Sequence, residues 1–150
     1  MLLKNLALCL GLVVTVFLFL AFSQNLSAQD EDIDSVTKAQ LAKEGSLTKK
    51  DIDLYVKFYE RFYKTGDNVK KSNSEINKFT NNFIKENKLT AVRTRYLLEK
   101  ITITMMSISY NEKAPNPNAP AHLRYSSAER RLVEANSKKI LPFIQKLQGR

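Results

Sequence analysis

Apolar and polar positions follow a different rule at the start of this chain than in the rest of it. Residues 6–22 read LALCLGLVVTVFLFLAF, uncharged throughout and preceded by Lys4. A basic start, an apolar run of about 17 residues and small residues behind it (Ser23, Ser27, Ala28) predict a secretory leader over residues 1–28, removed after Ala28. The run also reaches the short end of what spans a bilayer of about 30 Å, so an uncleaved anchor is the alternative. Asp30, Glu31, Asp32 and Asp34 follow where a stop-transfer segment would carry Lys or Arg, and with Lys4 in front they orient the chain N-in and C-out. Cys9 lies inside the run behind the bulky Leu8, which argues against a lipidated cysteine.

Residues 29–46 are polar, with one weak helical turn at 36–42 and Gly45 near the end, and read as a flexible arm. Beyond them apolar residues recur with the 3.6-residue period of amphipathic helices. Thr48, with Asp51 three residues on, predicts the start of a helix that carries Ile52, Tyr55, Tyr59, Phe62 and Tyr63 on one face and stops at Gly66. Ser72 and Glu75 have capping-box spacing ahead of Ile76, Phe79, Phe83 and Ile84, with Asn87 as a left-handed terminator. Thr90 opens a third helix through Val92, Tyr96, Leu97, Ile101, Met105 and Ile108. Within it Ile101-Thr102-Ile103-Thr104 alternates as a strand would. The helix formers at 91–100 and the loss of phase at Met105-Met106 favour helix.

Pro115, Pro117 and Pro120 exclude helix from 111–123 and predict a long exposed loop. Ser126 and Glu129 then repeat the capping box before Leu132, Val133, Ile140, Phe143, Ile144 and Leu147, and Pro142 is expected to kink or split this last helix between 138 and 142. The expected fold is all-α. It is a four-helix bundle over residues 47–150, with the proline-rich loop before a Pro-kinked last helix.

Loss of the leader would leave about 120 residues, the size of one domain. Cys9 is the only cysteine, so the processed chain would have no disulfide and would rest on apolar burial. Tyr55, Phe58, Tyr59, Phe62, Tyr63, Phe79, Phe83, Tyr96 and Phe143 can supply that burial at roughly 1.5–3 kcal/mol for each buried ring. The net charge of +9 favours anionic partners. In the last quarter Arg124, Arg130, Arg131, Lys138, Lys139, Lys146 and Arg150 outnumber Glu129 and Glu134.

Candidate chemistry is sparse. There is no Walker loop, dinucleotide fingerprint or HExxH, so no cofactor and no metal are expected. The single histidine, His122, would become catalytic only if packed against a buried carboxylate or hydroxyl, and no serine stands in a nucleophile-elbow context. Arg95 and Glu99 are spaced to pair along a helix, and Glu134 reads as another salt-bridged helix residue. Tyr55, Tyr59 and Tyr63 form a stripe at four-residue intervals whose main expected role is packing at the edge of the core. With Arg130, Arg131, Lys138, Lys139 and Lys146 they make the candidate binding surface, since 136–147 is basic on one side and apolar on the other.

These features lead to an exported, non-enzymatic binding or accessory module in the cell envelope, periplasmic or secreted. Its partner would be an anionic envelope component or another protein. Membrane contact would run through the N-terminal segment or, weakly, through the basic last helix. No nucleic-acid signature is present, and no nucleic acid is expected. Two alternatives stand beside it: an outward-facing bundle anchored by an uncleaved N-terminal helix, and a hydrolase or transferase using His122.

Overall fold

The computed structural model describes residues 33–65 and 71–149; the expected leader, Cys9, the helix stop at Gly66, and Arg150 lie outside them. Among the described residues the chain is all-helical, without strands. Six α-helices follow one another: α1 (Lys38–Leu41), α2 (Lys49–Lys64), α3 (Asn73–Asn87), α4 (Ala91–Ser109), α5 (Ser127–Ala135) and α6 (Ser137–Leu147). Short 3-10 turns occupy Ile33–Ser35 and Ala121–Leu123. No helix among the described residues is long and apolar enough to cross a membrane.

Local side chains build the helix starts. Thr37, Thr48, Ser72 and Ser126 each accept the amide of the residue three ahead, and Gln40, Asp51, Glu75 and Glu129 return a bond to the cap amide. Thr90 accepts the Arg93 amide at 3.0 Å. Each cap is worth about 1 kcal/mol. The end of α3 departs from expectation: Lys88, at φ 53°, is the left-handed residue, not Asn87. The Asn87 side chain donates to the Phe83 carbonyl at 2.8 Å, so it serves a terminal acceptor while still helical and passes the turn to its neighbour.

Helix α4 is the axis, in contact with all the other helices and both 3-10 turns. The ambiguous stretch 101–104 is helical because its hydroxyls find partners inside the bundle. Thr104 donates to the Lys100 carbonyl at 2.7 Å, Thr94 to that of Thr90 at 2.9 Å, and Thr102 shares a 3.0 Å bond with the Tyr55 hydroxyl. Buried threonines satisfied one turn back can stay in a helix. Around this axis Phe58 meets Phe79 and Phe83 edge-on at 5.2 and 5.1 Å, and Phe143 stacks on Tyr59 and Tyr63.

Two expectations need correction. The described part of the supposed flexible arm, 33–46, is a packed strap: Ile33, Val36 and Leu41 are buried in the same core as Leu47. Three apolar residues spaced three and five apart show no clear period in sequence, yet all three join the common core. The last helix is also divided earlier than Pro142 suggested, at Asn136. There the Asn136 amide and side chain bond the carbonyls of Val133 and Leu132 at 3.1 and 2.8 Å and close α5. Helix α6 starts afresh, so Pro142 falls in its second turn, where only the Lys138 carbonyl loses a donor.

Candidate functional site

Two arginines of α4 hold the strap. Arg93 grips Asp51 with two bonds, Nε to Oδ1 at 3.1 Å and Nη2 to Oδ2 at 2.6 Å. The same guanidinium donates to Glu44 Oε2 and to the carbonyls of Gly45 and Ser46 at 3.1–3.2 Å. Burial works against its charge, but the Asp51 and Glu44 carboxylates outweigh it and raise the Arg93 pKa. Two residues on, Arg95 donates to Glu99 at 2.8 Å, as its spacing predicts, and to the carbonyls of Ile33 and Val36. A planar five-donor group suits this work, because it can fasten a carboxylate and stray carbonyls together.

Between strap and axis lies a half-open cavity of about 220 Å³. Leu41, Glu44 and Ser46 line it from the strap; Tyr96, Lys100, His122 and Glu129 line it from the other side. Lys100 is buried, with Nζ 2.9 Å from the Arg124 carbonyl and 3.4 Å from Glu129 Oε2. Burial by itself would push the Glu129 carboxyl up. The Ser126 and Leu47 amides and the Lys100 ammonium more than offset this and hold it below the ordinary carboxylate range. Tyr96 donates to the same carboxylate at 3.4 Å, and burial together with that negative neighbour pushes its phenol up to about 12.

His122 meets the condition set by the sequence reading. It is buried, with Nε2 3.5 Å from Glu99 Oε2. Burial lowers its pKa against the pull of Glu99, which favours the neutral ring. No hydroxyl group bonds the ring among the described residues, which leaves the pair without a nucleophile in contact.

The other candidate residues are scattered. Tyr55 and Tyr59 are interior, against the expectation that the stripe sits at the edge of the core. Only Tyr63 keeps that place, half-buried, stacked on Phe143 and capped by Lys146 Nζ 4.7 Å above its ring. Burial raises all three phenols, Tyr63 to about 12. The period of four was legible, but it marks an inward face because α4 and α6 close over it. Arg130 leaves the basic set as well: it donates to the Tyr125 hydroxyl at 3.1 Å and lies over that ring. Arg131, Lys138, Lys139 and Lys146 are exposed, and none of them is in an ion pair. On α6, Lys138, Lys139, Pro142, Gln145 and Lys146 form one solvent stripe opposite buried Ile140, Phe143 and Ile144.

The sequence reading missed Glu44, Arg93, Lys100 and the second role of Glu129. One signal was present: Glu99 and Lys100 are consecutive charges inside the apolar run of α4, where at least one must point inward. Comparison with protein-family models, with curated proteins and with solved structures finds no match. Among the described residues no group of three His, Cys, Asp or Glu side chains is arranged to hold a metal ion.

Proposed function

We propose that this protein is an exported, non-enzymatic binding module of the cell envelope, whose α6 lysine stripe docks on anionic lipid headgroups. The observation that carries the reading is the amphipathic division of α6: Lys138, Lys139 and Lys146 face solvent without carboxylate partners, while Ile140, Phe143 and Ile144 are occupied in the core. With its apolar side buried, α6 would act at the surface through charge and not by insertion. The leader-like run at 6–22 and the net charge of +9 support the same reading. Its fold is read as a bundle of four layers, α2, α3, α4 and the α5–α6 pair, with the proline-rich loop leading into the last.

The lysines contribute about 1 kcal/mol each near an anionic surface, so three together give about 3 kcal/mol, roughly a hundredfold in partitioning. Co-sedimentation of the protein recovered from cells with phosphatidylglycerol and phosphatidylcholine vesicles tests this. Binding to the anionic vesicles should fall about a hundredfold in a Lys138→Ala/Lys139→Ala/Lys146→Ala variant and be lost in ~1 M salt, where the screening length is about 3 Å. Equal binding to both lipids, or indifference to salt, removes the lipid reading. Intact mass of the recovered protein separates a cleaved leader from a retained anchor. A hydrolase built on His122 has the Glu99 contact in its favour and lacks a partner hydroxyl, so the binding reading is preferred.

A further inference from the structure

The cavity beneath the strap is a second site, independent of the α6 stripe, and its polar atoms divide unevenly into used and unused. On the donor side, Tyr96 is committed to Glu129, and Lys100 to Glu129 and the Arg124 carbonyl. On the acceptor side, Glu44 gives only Oε2 to Arg93 and leaves Oε1 without a hydrogen bond. Ser46 gives only its main-chain carbonyl, so its hydroxyl is free. The Glu99 carboxylate, 3.5 Å from His122 Nε2, favours the ring proton on that nitrogen and hence a lone pair on Nδ1. That nitrogen makes no protein hydrogen bond and is not among the buried unsatisfied atoms, so solvent reaches it on a side chain only 6% exposed.

We propose that this cavity binds a small primary ammonium compound, with its N–H groups accepted by Glu44 Oε1, His122 Nδ1 and the Ser46 hydroxyl. Charge favours a cation here even though the whole chain is basic: Glu44, Asp51 and Glu129 stand against Arg93 and Lys100 at the cavity and its wall, one negative charge in excess. An anionic ligand would meet the Glu44 and Glu129 carboxylates and find only the remaining N–H of Lys100 and the Ser46 hydroxyl as donors. Size restricts the ligand further. The cavity has a volume of about 220 Å³. It lies under the ~300 Å³ at which drug-sized pockets begin, so the ligand has few non-hydrogen atoms. A neutral His122 is an acceptor, and the burial that lowers its pKa keeps it one near neutral pH.

His122 is the only histidine of the chain, so its imidazole carbon-bound protons are an unambiguous NMR reporter on the full-length protein. Titration near neutral pH with ethylammonium chloride should move these signals along a saturable curve, whereas sodium acetate should leave them in place. Glu44→Gln keeps an oxygen for Arg93 and removes the charge; it should weaken ethylammonium at least about tenfold, and the exposed Ser46→Ala should weaken it less. Thermal melts of both variants verify that they remain folded, and the wild-type titration stands without them. The proposal is overturned if ethylammonium produces no saturable shift, if acetate produces an equal one, if magnesium moves the signals and ethylammonium does not, or if folded Glu44→Gln binds as the wild type does. The vesicle experiment reads α6 and this one reads His122, so either proposal can fail alone.

Discussion

At the scale of single residues, the buried charges on α4 matter most, and each is matched by a partner at defined distance. Glu99 is shared by Arg95 and His122, and Glu129 by Lys100, Tyr96 and two main-chain amides. Removing one partner from such a set leaves the other uncompensated, which costs more than the contact itself is worth. His122 makes the pH dependence predictable. Its folded-state pKa lies below the ordinary value of about 6.5, so the unfolded chain binds the proton more readily. The native state therefore keeps this contribution in full above pH ~6.5 and loses it as pH falls towards the folded-state pKa. Urea midpoints should decline between about pH 7 and pH 5. His122→Gln should flatten the decline, and an unchanged slope would place its source elsewhere. In sequence Arg95 and Glu99 were readable as a pair, because four residues along a helix fix their separation. His122 was not readable as the third member, because it reaches Glu99 from a turn 23 residues away.

At the scale of elements, local chemistry accounts for most of what forms. The boxes at Thr48, Ser72 and Ser126, and the Thr90 cap, stand where the spacing put them, since each closes within three residues. Terminations were less legible. Lys88 in place of Asn87, and Asn136 in place of 138–142, both depend on which side chain reaches which terminal carbonyl. Pro142 offers a test of how the last stretch is organised. Its ring denies the Lys138 carbonyl a donor inside α6, so Pro142→Ala should raise stability by about 1–3 kcal/mol, seen as a higher denaturant midpoint. A lower midpoint would mean that the ring is needed where it lies.

At the scale of the whole molecule, the strap and the α2–α6 scaffold share one core and should unfold together. Leu41 is 1% exposed and contributes a wall of the cavity. Leu41→Ala should cost about 2–5 kcal/mol and shift far- and near-ultraviolet circular dichroism transitions together. A free arm would leave both unmoved. The α4 axis makes this coupling physical, because Arg93 and Arg95 bind the strap from the same helix whose other sides pack on α2, α3, α5 and α6.

Amino-acid order by itself determined the helical character, the starts of the long helices, the spacing of the tyrosine and phenylalanine stripes and the pairing of Arg95 with Glu99. Period and capping act over three to eight residues and carry their own geometry. Only the tertiary structure decided that 33–46 is a strap, that Tyr55 is interior, that Arg130 turns away from the lysines, and that Glu44, His122 and Glu129 wall one cavity. Those outcomes depend on contacts such as Arg93 with Glu44, 49 residues apart, and Leu47 with Glu129, 82 apart. At such separations chain entropy leaves many partners open, and the partner is selected only when the helices pack together.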